Sequence, residues 1–113
     1  MKEAITRVFN KAGMLWDVSY EAIIGRSRNR PLPFARAMVA KTLRDTFGLT
    51  FMDIGRLLRR NHTSIIYYLK MYDAEYKYNK EFRNFANAMK DIAQEVNAEL
   101  KHELENELNE IYG

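Results

Sequence analysis

The stretch RRNHTSIIYYLK, residues 59–70, decides how the chain is read. Two arginines run into four compact polar residues, Asn61, His62, Thr63 and Ser64, and a run of large apolar and aromatic residues follows. Asn61 suits a helix N-cap, because its side-chain oxygen can accept from a backbone N–H of the first turn. The residues after it predict a helix whose buried side holds Ile65, Tyr68 or Leu69, and Tyr72. Eleven residues earlier, in TFMDIGRLL, Thr50 and Asp53 have the spacing of a capping box, so a short helix is expected to start at Thr50. Two helices joined by a tight turn make a helix-turn-helix, with HTSIIYYLKMY as its second helix.

Upstream, glycine and proline mark the remaining boundaries. EAITRVFNKAG, residues 3–13, is helix-like, with Ile5, Val8 and Phe9 on one face and Gly13 as its expected stop. VSYEAIIG, residues 18–25, predicts a short helix between a Ser19 cap and Gly25. Pro31 and Pro33 hold RSRNRPLP out of regular helix, and Pro33 suits the first turn of the next one, which Gly48 closes. From about Lys77 onward the pattern is one long helix, with apolar residues at Phe85, Met89, Ile92, Val96, Leu100, Leu104, Leu108 and Ile111. Their mean spacing of about 3.7 residues is that of an ordinary helix, not of a heptad seam. The expected division is therefore residues 1–76 as the helix-turn-helix domain and 77–113 as an acidic helical extension.

Composition narrows the function classes. The 113 residues suit one domain, and without cysteine there is neither a disulfide nor a thiolate metal site. His62 and His102 are far apart in sequence, so no zinc or haem is expected, nor any other cofactor. No apolar run has the length of a signal peptide or a membrane span, so a cytoplasmic protein without membrane contact is expected. The net charge of +3 hides an asymmetry. Residues 1–72 carry 13 Lys/Arg against 5 Asp/Glu, and residues 73–113 carry 5 against 10. A basic front half suggests a polyanionic partner.

The candidate contacts follow from that partner. The second helix of a helix-turn-helix enters the major groove of DNA and its first residues reach the base edges. Here those are Asn61, His62, Thr63 and Ser64, all able to hydrogen-bond. Arg26, Arg28 and Arg30 alternate on the proline-stiffened arm, the kind of element that places arginine in the narrow minor groove of AT-rich DNA; Arg28 and Arg30 are the candidates there. Arg26, Arg36, Thr50, Arg56, Arg59 and Arg60 are the candidates for backbone phosphates. The helical spacing of Tyr67, Tyr68, Tyr72, Tyr76 and Tyr78 assigns them to core and tail packing instead of base stacking.

RSRNRPLPFARAMVAKTL, then FMDIG, then RRNHTSII resembles the C-terminal DNA-binding domain of the bacterial chromosomal replication initiator, DnaA, over roughly residues 5–75. That family carries an RSR-type basic loop, an A-R-x-x-M helix, an E-I-G step and a G-R-D-H-T-T-V tip. The resemblance implies an all-α bundle with a Trp-repressor-like helix-turn-helix, here followed by a long C-terminal amphipathic helix. It places Arg28 at the family's minor-groove arginine, Asn61 to Ser64 on the major-groove tip, and Arg60 at the arginine before the tip. Two departures stand out. The family's tip aspartate is Asn61, which donates as well as accepts and suits adenine, so a site other than the usual AT-rich box is expected. The glycine-containing turn is one residue shorter and has Arg59 in place of glycine.

No G-x-x-x-x-G-K-[ST] loop is present, so the chain is expected to be the DNA reader without the ATPase. The leading expectation is a sequence-specific binder of double-stranded DNA that regulates replication or transcription, with a phage or mobile element as one setting. For that binder, the apolar tail helix makes a homodimer through residues 77–113 one expectation; a second reading is an interaction or autoinhibited protein, in which the acidic helix binds another replication protein or covers the basic face. An enzyme is not expected, since no nucleophile–base pair, metal cluster or apolar carboxylate pair is visible.

Overall fold

The computed structural model describes residues 2–112, without the side chains of Leu104 and Tyr112. Among these residues all regular structure is helical: α1 (Lys2–Trp16), α2 (Tyr20–Ile24), α3 (Leu32–Phe47), α4 (Phe51–Leu58), α5 (His62–Tyr78) and α6 (Lys80–Tyr112). The expected all-α bundle is therefore observed.

Helix α3 is the central element. Its Ala35, Ala37, Met38, Val39, Ala40 and Leu43 are fully buried, and α1, α5 and α6 pack around it. The small alanines let neighbouring helices approach closely, and larger side chains fill the space between. Phe82, on the first turn of α6, sits edge-on to Phe34 and Tyr72, with Trp16 tilted beside it at 6.1 Å. One aromatic cluster thus ties α1, α3, α5 and α6 together. The Trp16 indole N–H, buried in this cluster, donates to Met38 Sδ at 3.2 Å.

The caps form where the sequence places them. Ser19 accepts from Ala22 N, Thr50 from Asp53 N and Asn61 from Ser64 N, and Gly48 closes α3 in the left-handed region. Two boundaries differ from expectation. Gly13 does not end α1, which runs on to Trp16. Gly13 is buried, and a Cβ there would lie 2.6 Å from the Val18 carbonyl, so this glycine serves close approach, not termination. The expected continuous helix from Lys77 breaks at Asn79. There the Asn79 N–H closes α5 on Glu75 O, while the Asn79 carboxamide oxygen caps α6 by accepting from Phe82 N at 3.1 Å. Arg83 completes the corner by donating to the carbonyls of Tyr76 and Lys77.

The two halves of α6 behave differently. Phe82, Ala86 and Met89 belong to the core shared with α1, α3 and α5, and Val96 is the last buried residue among the described side chains. Arg7 of α1 pairs with Glu95 at 3.0 Å and Glu99 at 2.9 Å. Beyond that clip Leu108 and Ile111 are exposed, and the expected apolar position Leu104 lies outside the described side chains. His102 is exposed on the same segment.

Candidate nucleic-acid interface

The turn between α4 and α5 is three residues long, and its geometry depends on Gly55 and Arg59. The Arg60 N–H donates to Gly55 O at 2.7 Å, and the Arg60 carbonyl lies so near Gly55 Cα that a side chain there would collide with it. Arg59 takes the left-handed conformation, φ 57°, with its N–H on Arg56 O. Glycine is the residue that adopts this conformation without cost. Arginine occupies it here, and its side chain is exposed.

This turn presents the first residues of α5. Asn61, His62 and Thr63 are exposed and Ser64 is half-buried. Thr63 and Ser64 face a groove of about 920 Å³ whose opposite side is formed by Arg26 and Arg28 of the arm, with Arg59 and Arg60 at the turn. No carboxylate lines this groove among the described residues. A second depression of about 420 Å³, lined by Arg56, Asn61, His62 and Met52, lies next to it and shares Arg59 and Arg60. The two hollows flank the tip, and the cationic side chains are continuous from the arm to the turn.

Of the sequence candidates, Arg26, Arg28, Arg59, Arg60, Thr63 and Ser64 meet at the groove, and Arg56, Asn61 and His62 meet at the adjoining depression. Two candidates lie apart. The Arg30 guanidinium sits over the Phe34 ring, 5.2 Å from its centroid, and Thr50 serves as the cap of α4. Arg56 is exposed and pairs with Asp53 at 3.2 Å, a contact between solvated groups that water and salt weaken.

Arg36 requires correction as a phosphate contact. It is fully buried, and its guanidinium donates to the carbonyls of Ile23 at 2.7 Å, Ser27 at 2.6 Å, and Ala22 and Gly25 at 3.0 Å. The long aliphatic stem reaches through the bundle, and the charged head finds four backbone acceptors where α2 ends. Burial, and then the nearby Arg60 charge, push its pKa down, while the Tyr68 phenol acts in the opposite sense. Arg60 is divided in role: it lines the groove, yet it donates to Leu58 O at 2.8 Å, Gly25 O at 2.5 Å and Ile23 O at 3.4 Å.

The tyrosines also divide. Tyr68 and Tyr72 are buried and Tyr76 packs against the core, but Tyr67 and Tyr78 are exposed, so core packing does not describe those two. Tyr67 lines the groove four residues after Thr63. That spacing puts it on the same helix face as the tip, the one signal that could have marked it as part of the site.

No family model matches the chain. A curated relative, the chromosomal replication initiator protein DnaA 1 of Chlamydia pneumoniae, is 24% identical over 92 residues. The match covers 81% of this chain and 20% of that protein, so the chain spans about a fifth of the length of the curated relative it matches. This is a distant, partial relationship to a replication initiator. Among the described residues no helix is long and apolar enough to cross a membrane.

Proposed function

We propose that the chain is a sequence-specific double-stranded DNA-binding module of replication-initiator type, with the start of α5 in the major groove and Arg28 in the adjacent minor groove. The observation that carries this reading is the shared, carboxylate-free groove between arm and tip, lined by Arg26, Arg28, Arg59 and Arg60. Arginines placed on two sides of a recognition helix let one rigid head contact the backbone and both grooves. The distant likeness to a replication initiator supports the same assignment. In this reading the protein is a cytoplasmic regulator of replication or transcription, of the kind a phage or mobile element carries, and not an enzyme.

Asn61 sets an expectation about the site. Its carboxamide oxygen is engaged by Ser64 N at 3.0 Å, so the NH₂ end is the part directed outward. A donor in this place favours a base edge that offers an acceptor, whereas the family's aspartate in the same cap would favour a donor such as cytosine N4–H₂. Selection from a random duplex library tests both points. The expected result is a single enriched site, with Asn61→Asp shifting one position toward cytosine by about ten- to hundredfold. Recovery of no consensus overturns the reading, and recovery of the same site by both proteins overturns the role given to Asn61.

The exposed Leu108 and Ile111, on a segment rich in glutamate, favour a second reading in which the distal part of α6 engages a protein partner or another copy. A truncation that tests it belongs after residue 99, because Phe82 and Met89 are core residues.

A further inference from the structure

The arm owes its place to two arginines that use their donors inside the protein. Arg36 comes from α3 and Arg60 from the α4–α5 turn, and both donate to the carbonyls of Ile23 and Gly25. Arg36 also holds Ser27 O at 2.6 Å, one residue before Arg28. Helix α2 has only five residues, and at its C-terminal end the Gly25 N–H reaches Ala22 O while Ile23 O and Gly25 O take their donors from the two arginines. No carboxylate hydrogen-bonds either guanidinium among the described residues, so the two cations are balanced mainly by carbonyl dipoles. Burying a charge this way is costly, and an apolar side chain would fill the same volume at less expense. The arrangement fixes the start of the arm against Arg60, the residue before the Asn61 cap of α5.

We propose that Arg36, acting with Arg60, is a positioning residue that sets the register of the arginine arm relative to the start of α5, so that the two reading elements act as one. The inference rests on the DNA-binding function proposed above for its consequence, but the clamp itself has a test that needs no DNA. Arg36 touches no ligand. Its effect runs through the Ser27 and Gly25 carbonyls to Arg28.

The test uses Arg36→Lys, which keeps the charge but loses the multiple fixed donors, and Arg60→Gln as an independent variant should the first fold poorly. Limited trypsin digestion followed by mass spectrometry reads cleavage after Arg26 and Arg28 relative to cleavage after Lys41 and Arg44 in α3. Release of the clamp should raise that ratio by about tenfold over wild type, since local opening is then separate from global unfolding. An unchanged ratio, with all sites accelerating together, means the side chain only stabilises the fold and overturns the proposal. The second readout is a mutant cycle on the selected duplex, combining Arg36→Lys with Arg28→Ala. If Arg36 acts through Arg28, the double variant should bind within about twofold of Arg28→Ala alone. Losses that multiply overturn the proposed route. If wild type selects no duplex, the DNA reading fails on its own and the proteolysis ratio still decides whether the clamp exists.

Discussion

At the tip end of the molecule, backbone polar groups at the helix ends are held by specific partners. Asn61 caps α5, Thr50 caps α4, and Arg36 and Arg60 close α2. At the far end of α6, Val96 is the last of the described side chains to be buried, Arg7 pairs with Glu95 and Glu99, and the last turns carry exposed Leu108 and Ile111 among glutamates. One end is cationic and over-determined; the other is anionic and held mainly by local helix propensity. Helices do not position a surface by themselves. What fixes the tip is satisfaction of the helix ends and close approach at the turn.

The comparison is sharpest within α6 itself. Phe82→Ala should lower the unfolding free energy by about 3–5 kcal/mol, because it empties the centre of the aromatic cluster, whereas Leu108→Ala should cost under about 0.5 kcal/mol. Urea denaturation of both variants measures this, and equal losses would mean the distal half is packed after all. At the tip, Gly55→Val should cost about 3 kcal/mol in the same measurement, since a Cβ there collides with the Arg60 carbonyl.

Arg59→Gly should move two quantities in opposite directions. Relieving the left-handed arginine should stabilise the fold by up to about 1 kcal/mol, while duplex affinity falls through loss of a groove cation. Thermal melting and fluorescence anisotropy together check this, and a variant both less stable and unchanged in binding would show that Arg59 serves the fold alone. The smallest effect belongs to Arg7→Ala. An exposed pairing of this kind contributes under about 1 kcal/mol, so melting should barely change, but amide exchange beyond residue 99 should accelerate.

The sequence made some of this visible and hid the rest for physical reasons. Ser19, Thr50 and Asn61 were legible as caps because capping is local: the side chain bonds to a backbone N–H three residues away. The break at Asn79 was not, because a single asparagine ends one helix and starts the next without glycine or proline to mark it. Gly13 misled because glycine serves both helix termination and close approach, and only the position of Val18 tells them apart. At the candidate site, Arg26, Arg28 and Arg59 could be read as free cations. Arg36, eight residues beyond Arg28, carries the same charge and is fully buried. A charge in a sequence does not say whether its partner is water, a phosphate or a carbonyl. Tyr67 and Tyr68 make the same point: both border the groove, but adjacent helical residues face different ways, and Tyr67 is exposed while Tyr68 is buried.

The most direct measurement is duplex binding by fluorescence anisotropy across a salt series, with wild type, Arg28→Ala and His62→Ala on the selected duplex and a scrambled one. If one groove unites arm and tip, wild type prefers the selected duplex and each variant loses that preference. Affinity then falls steeply with salt, and Arg28→Ala lowers the logarithmic slope by about 0.9 if it removes one phosphate-equivalent contact. Wild type that binds neither duplex at moderate salt, or an Arg28→Ala variant that discriminates as well as wild type, would contradict the account.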